Sequence, residues 1–409
     1  MKAIPPSEPR PLIAIACGGT GGHLFPGMAV GEELMVRGCD TVLLVSPKDV
    51  DQQIMQSAGG AEFATLPSVG MVKGRRLQFI LGFIKSYREV RRLFRQRRPQ
   101  AVLAMGGFTS APPVLAARTA GALTFLHESN TIPGRANRWL AHFVNQAFIG
   151  FPEAAGRLHH PNVLYTGTPV RPQFQAADPE ACRVALGLHP LRPLLLVMGG
   201  SQGASGVNDL VLRALPQLLH AAPELQFIHL AGATEVDKVR AGYDLHKARA
   251  LVRPFLSEME LALGAATVAV SRAGGSSMAE AAAMRLPAVL IPYPYAADNH
   301  QFHNARAFAE GGAAFLLEQK TATGEKLAGM LLSVLTEKST RDRMASALQR
   351  WDAPRAAELI ADRVLALLQS VHPGLWAIRP GPVAEARRPI DGASEFHVEP
   401  HFQPGRQPA

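Results

Sequence analysis

Three times in the 409-residue chain a strand-length apolar run ends in a glycine-rich turn and passes into a helical pattern. The first unit is Leu12–Ala16, then Gly18-Gly19-Thr20-Gly21-Gly22-His23 and a helix predicted from near Gly27. The second is Leu194–Met198, then Gly199-Gly200-Ser201-Gln202-Gly203-Ala204 and the helical spacing of Val207, Leu210, Val211, Ala214 and Leu215. The third is Thr267–Val270, then Ser271-Arg272-Ala273-Gly274-Gly275-Ser276-Ser277 and a helix over Met278–Met284. A further turn, Gly106-Gly107, follows Ala101–Met105. Continuous apolar strands alternating with helices build parallel sheets covered on both faces. Glycine lets the backbone turn tightly and approach a ligand. The helix that follows offers unpaired N–H groups at its positive end, so each unit is a potential anion site. The spacing is not Gly-x-Gly-x-x-Gly, and no nicotinamide cofactor is implied.

Because the turns fall in both halves of the chain, an α/β protein of two doubly wound domains facing each other across a cleft is predicted, with ligands at the carboxyl ends of the strands. The first domain is expected over 1–168, with strands Leu12–Ala16, Thr41–Val45, Ala101–Met105, Leu123–His127 and Ala147–Ile149. Thr166–Pro172 suits a hinge. The second is expected over 169–352, with strands Leu194–Met198, Gln226–Leu230, Leu251–Arg253, Thr267–Val270 and Ala288–Ile291, and a helix over Ala322–Leu335. A helix within 353–370 is expected to pack back on the first domain, and the proline-rich polar segment 371–409 is expected to be a disordered tail. With 47% hydrophobic residues the chain can fill two cores. Cys17, Cys39 and Cys182 have no metal spacing and leave one thiol unpaired, as in a reduced compartment. No apolar run is long enough to span a bilayer, and polar Met1–Pro11 does not read as a signal peptide.

The net charge of +9 is concentrated in one segment. Lys73, Arg75, Arg76, Lys85, Arg88, Arg91, Arg92, Arg95, Arg97 and Arg98 surround the nearly contiguous Leu77, Phe79, Ile80, Leu81, Phe83 and Ile84. One face of such a helix can pack on the core. The rest suits an anionic membrane interface, with Lys73, Arg75 and Arg76 as its cations and Phe79, Ile80 and Phe83 as its apolar contacts. A core helix with a solvated basic end is the alternative. No aromatic stacking pattern interleaves the cations, so a nucleic-acid partner is not expected.

Gly18–His23 with Pro26-Gly27, Met105-Gly106-Gly107-Phe108, His127-Glu128-Ser129-Asn130, Gly167-Thr168-Pro169-Val170-Arg171, Gly199–Ala204, and Asp298-Asn299-His300-Gln301 with Asn304-Ala305 occur in this order between about 12 and 370. In that order they resemble the MurG family of bacterial peptidoglycan glycosyltransferases. The resemblance implies a GT-B fold of two Rossmann-like domains. It implies transfer of N-acetylglucosamine from UDP-GlcNAc to the 4-hydroxyl of the muramoyl sugar of lipid I, giving lipid II with inversion at the anomeric carbon. A peripheral place on the cytoplasmic face of the cell membrane follows, alongside other cell-wall synthesis proteins, with a part in cell shape and division. The third glycine turn departs from the family's Ser-x-x-Gly-Ala-x-Thr, reading Gly274-Gly275-Ser276-Ser277; Ser277 keeps a hydroxyl there.

Residue by residue, the resemblance implies donor contacts at Asn130, Arg171, Ser201, Gln202, Gly203, Leu256, Gly275, Ser276, Ser277, Glu280, His300 and Gln301, with Glu280 on the ribose hydroxyls. The first turn, with Thr20, Gly21 and Gly22, is assigned to the acceptor's diphosphate and the second to UDP. A base must take the proton of the acceptor hydroxyl; His23 and Glu128 are both candidates, and the sequence does not order them. Asp49-Val50-Asp51 is read as a solvated turn, and neither a metal nor a cofactor is expected. Gly199-x-Ser201-x-Gly203 also fits a nucleophile elbow, with Asp298 and His303 as partners, but that hydrolase would leave the other turns unexplained. A nucleotide-sugar 2-epimerase of the same fold would not need the basic apolar segment. A non-catalytic nucleotide-sugar-binding scaffold would need neither His23 nor Glu128.

Overall fold

The computed structural model describes residues 10–18, 21–47, 61–67, 76–200 and 203–373. Thr20, Lys73, Arg75, Ser201, Gln202, Asp49, Asp51 and the tail beyond 373 lie outside the described residues, as does the side chain of Arg76.

The N-terminal sheet holds β1 (Leu12–Ala16), β2 (Asp40–Val45), β3 (Phe63–Thr65), β4 (Ala101–Ala104), β5 (Leu123–Glu128), β6 (Gln146–Ile149) and β7 (Val163–Tyr165). Their order across the sheet is β3-β2-β1-β4-β5-β6-β7, and every pairing is parallel. The second sheet holds β8 (Leu194–Met198), β9 (Gln226–Leu230), β10 (Arg249–Arg253), β11 (Val268–Ser271), β12 (Ala288–Leu290) and β13 (Ala314–Leu316) in the order β10-β9-β8-β11-β12-β13, again parallel. All residues of β1 and of β8 are buried, as continuous apolar strands between two helix layers must be. The sequence expectation missed β3, β7 and β13. Each is three residues long at a sheet edge and partly exposed, so it carries no continuous apolar run.

The first domain contributes helices α1 (Gly21–Val36), α2 (Arg76–Arg97), α3 (Ala111–Thr119), α4 (Arg135–Leu140) and α5 (Ala155–Leu158). The second contributes α6 (Pro179–Ala185), α7 (Ser205–Ala221), α8 (Val236–Leu245), α9 (Met259–Ala265), α10 (Gly275–Ala283), α11 (His300–Glu310), α12 (Gly324–Thr336) and α13 (Lys338–Leu348). The last helix, α14 (Ala356–Val371), crosses back to the first domain. Its Ile360, Val364, Leu365 and Leu368 are buried in one core with Ile13, Ile15, Leu24, Val30 and Leu103. Burial of such side chains contributes roughly 1.5–3 kcal/mol each. Arg37, just after α1, donates to Asp362 at 2.9 Å, and Arg363 to Gln146 at 2.7 Å, fixing the helix in register.

Candidate active site

Each sheet reverses its strand order at its centre, between β1 and β4 and between β8 and β11. Ligands of doubly wound sheets sit outside the carboxyl ends of the strands at such a reversal. The loops leaving these four strands are the four glycine turns, so those turns occupy both switch points.

The two switch points face each other at contact distance. Ser276 Oγ, in the first turn of α10, donates to the carbonyl of Gly22 in the first turn of α1 at 2.6 Å. Pro26 explains why that carbonyl is available. Helix α1 begins at Gly21, six residues before the predicted start, and Pro26 lies inside it. Having no N–H, Pro26 cannot bond the carbonyl four residues earlier, which is Gly22, and the opposite domain supplies the donor instead. Gly275 is as close on the other side: a Cβ there would collide with the Ser129 carbonyl.

His23 therefore stands within the first turn of α1 rather than ahead of the helix, half-buried against the turn after β4. Gly106 has φ +125°, and a Cβ on it would lie 2.8 Å from His23 Nε2, so only glycine admits the ring. The neighbouring His127 is fully buried. Its Nε2 donates to the Gly167 carbonyl at 3.0 Å, and Nδ1 accepts from Ser129 Oγ at 3.3 Å. Burial pushes its pKa down to about 4, with His23 nearby acting in the same direction, so His127 is neutral.

Glu128, at the end of β5, is 3% exposed. Its Oε1 accepts from Asn130 N at 2.9 Å and Asn130 Nδ2 at 2.8 Å; its Oε2 accepts from Gly134 N and Asn137 Nδ2, each at 2.9 Å. Burial raises its pKa and the four donors oppose the rise.

On the facing wall, the Arg171 guanidinium lies over the rings of Phe25, 4.0 Å from the centroid, and Phe174, 4.8 Å away. Its Nε is buried without a hydrogen-bond partner. Glu280 Oε1 is 3.9 Å from Arg171 Nη2, too far for a hydrogen bond. The Glu280 side chain is only 13% exposed, and burial pushes its pKa up to about 7, with Arg171 pulling against the rise. The pair is therefore a desolvated cation and a half-ionised carboxyl, neither fully matched.

At the start of α11, His300 Nδ1 donates to the Ala297 carbonyl at 2.9 Å, and Gln301 Oε1 accepts from Tyr293 N at 2.9 Å. The loop before them holds Asp298 and Asn299 at φ 50° and 55°, a left-handed conformation that costs energy for residues with a side chain. Asp298 is bound there by Arg135 at 2.9 Å and by Arg138, both of α4 in the other domain. That acid is thus committed to two arginines, which removes the partner that the hydrolase alternative required. Gly203, Leu256 and Ser277 lie partly exposed after β8, after β10 and in α10, on the same sheet end as Glu280. Among the described residues no group of three or more His, Cys, Asp or Glu side chains is placed to hold a metal ion. Asn304 and Phe25 carry contacts between the two walls. In the sequence Asn304 stands out only as part of a motif and Phe25, between His23 and Pro26, not at all, because nothing in a motif says that a side chain crosses to another domain.

Comparison with known proteins decides among folds of this kind. Residues 13–149 match the glycosyltransferase family 28 N-terminal domain and 194–360 the glycosyltransferase family 28 C-terminal domain. A protein of Anaeromyxobacter sp. (strain Fw109-5), named UDP-N-acetylglucosamine–N-acetylmuramyl-(pentapeptide) pyrophosphoryl-undecaprenol N-acetylglucosamine transferase, is 36% identical over 386 residues, 90% of this chain and 99% of that one. The chain belongs to the MurG family. A MurG protein of the same name from Citrifermentans bemidjiense is 34% identical over 84% of this chain and 97% of its own. The crystal structure of Acinetobacter baumannii MurG superposes with a TM-score of 0.66 at 26% identity, covering 88% of this chain and all of that one. A putative UDP-N-acetylglucosamine 2-epimerase of Listeria monocytogenes, at 15% identity and TM-score 0.63, shares the GT-B fold alone.

In this MurG-family chain the basic segment takes a definite phase. On α2, Leu77, Ile80, Leu81 and Ile84 are exposed, at 73%, 51%, 60% and 40%. The same helical stripe continues as exposed Arg88, Arg91, Arg92 and Arg95. Of the apolar contacts expected at a membrane, Ile80 is thus outward, but Phe79 and Phe83 are not. Phe79 meets the edge of Phe108 at 5.7 Å, and Phe83 packs on the domain core. The contiguous apolar run has no phase of its own; the neighbours α3 and Phe108 select which side turns in. Among the described residues no helix is long and apolar enough to cross a membrane.

Proposed function

We propose that the chain transfers N-acetylglucosamine from UDP-GlcNAc to the 4-hydroxyl of the muramoyl sugar of lipid I, giving lipid II, by one displacement with inversion at the anomeric carbon. The observation that carries this is the pair of switch points meeting face to face, one carrying His23 and the other Glu280, with Arg171 of the connecting segment beside Glu280. UDP belongs to the second. The amino end of α7 offers backbone donors to the diphosphate, which gains charge as the glycosidic bond breaks, and fixed donors aimed at developing charge are the strongest device at such a site. Arg171 adds a cation with an unused Nε–H. Glu280 accepts from the ribose hydroxyls, and Asn130, His300 and Gln301 complete the donor contacts.

Inversion needs a base on the acceptor side. His23 is that base. Glu128 is poorly suited, because proton transfer to it would displace one of four donors already on its two oxygens. It serves instead to orient Asn130. The lipid-anchored acceptor is met at an anionic membrane surface, on which Leu77, Ile80, Leu81 and Ile84 insert while the following arginines contact headgroups. On this reading the protein acts peripherally on the cytoplasmic face, beside other cell-wall enzymes. The test is UDP release by the purified protein with and without a lipid I analogue. Release that depends on the analogue supports transfer; formation of UDP-N-acetylmannosamine without acceptor would establish an epimerase instead.

A further inference from the structure

Asn304 of α11 is 0% exposed, and it joins the two domains with every hydrogen-bonding position filled. Its Oδ1 accepts from Thr131 N and Thr131 Oγ1, both at 2.9 Å. Its Nδ2 donates to Asn130 Oδ1 at 2.9 Å and to the Ala273 carbonyl at 3.0 Å. Thr131 and Asn130 belong to the loop after β5; Ala273 belongs to the turn after β11. One side-chain amide thus ties the glycine turn of one domain to the loop of the other.

The effect on Asn130 is specific. Its Nδ2 donates one hydrogen to Glu128 Oε1, and its Oδ1 accepts from Asn304. Glu128 anchors the nitrogen end and Asn304 the oxygen end, so the two together hold the amide plane at both ends. An asparagine side chain has two N–H groups and two oxygen lone pairs. One of each is spent on this clasp, and one of each remains half-exposed toward the cleft. The Glu128 side of the clasp is rigid, held by donors of its own domain, whereas the Asn304 side arrives only when α11 docks on the loop after β5.

We propose that Asn304 is a positioning residue: from the C-terminal domain it sets the side-chain amide of Asn130, so that the donor site is completed only when the two domains are together. This rests on the assignment of Asn130 to the nucleotide-sugar. Asn304 itself, fully buried and fully bonded, touches no substrate.

The test is a double-mutant cycle in steady-state kinetics on the full chain, with UDP-GlcNAc and a lipid I analogue: wild type, Asn304→Ala, Asn130→Ala and both together. A lost hydrogen bond of this kind corresponds to roughly a five- to tenfold rise in KM for UDP-GlcNAc in Asn304→Ala, with kcat close to wild type. The double variant should match Asn130→Ala alone, because Asn304 acts only through that residue. A folded Asn304→Ala enzyme with unchanged KM, or losses that multiply in the double variant, overturns the inference. Asn130→Ala with wild-type KM would remove the donor assignment and this inference with it, so the two failures are distinct. Circular dichroism and thermal melting establish folding; if Asn304→Ala does not fold, Asn304→Ser, which keeps a hydroxyl at the site, carries the same cycle.

Discussion

Glu280 should make donor binding depend on pH in a way that can be worked out beforehand. Its pKa is pushed up to about 7 by burial, from an ordinary 4.5, so in the free protein near neutrality the carboxyl is protonated about half the time. Ribose hydroxyls donate to a carboxylate, so the donor binds the ionised form and the proton must leave. With a pKa of about 7 the ionised fraction falls about tenfold between pH 8 and pH 6, and the affinity for UDP-GlcNAc should fall with it, about 1.4 kcal/mol. The assay is calorimetric titration with UDP-GlcNAc without acceptor, since the sugar-esterified diphosphate does not itself titrate in this range. In Glu280→Gln the affinity should be lower at pH 8 and nearly flat. Folding stability should move oppositely. A raised carboxyl pKa gives stability that is complete below the ordinary value of 4.5 and lost as pH rises to about 7, so Glu280→Gln should unfold at a higher temperature than wild type at pH 8. A flat wild-type affinity from pH 6 to 8, or an equal slope in Glu280→Gln, would refute the reasoning.

Other expectations follow from the same geometry. His23→Ala should lower turnover by about 10²–10⁴-fold, the usual contribution of a general base, with UDP-GlcNAc affinity near wild type; the same loss in Glu128→Ala but not in His23→Ala would reverse the roles. Replacing Leu77, Ile80 and Leu81 by Ser should weaken sedimentation with anionic vesicles while leaving the fold and activity on a soluble acceptor intact, because these side chains are already exposed. Vesicle binding by the parent chain should also weaken with salt, and unchanged binding of the triple variant would move the docking surface elsewhere. Turnover should persist in EDTA; loss that Mg²⁺ restores would require a metal.

The central strands were legible because their burial on both faces leaves an uninterrupted apolar run, as in β1 and β8. The edge strands β3, β7 and β13 lack that signature. The start of α1 was misplaced because Pro26 reads locally as a helix break, and only the Ser276 donor from the other domain makes its position understandable. The glycine turns and the residues after them were visible as chemistry. Their partners were not: the Asn304 clasp, the Phe25 ring beneath Arg171 and the Ser129 carbonyl against Gly275 exist only once two domains meet. The apolar run on α2 was recognised, but its outward stripe was set by α3 and Phe108 rather than by composition.

The measurement that tests the account most directly is the structure of the product. The purified chain, incubated in EDTA with UDP-GlcNAc and a lipid I analogue, should add one N-acetylhexosamine to the muramoyl 4-hydroxyl, read by mass and by the anomeric coupling in NMR as the inverted, β-linked sugar. An α-linked product would contradict the single displacement with His23 as base, and an unmodified acceptor beside consumed UDP-GlcNAc would contradict the transfer itself.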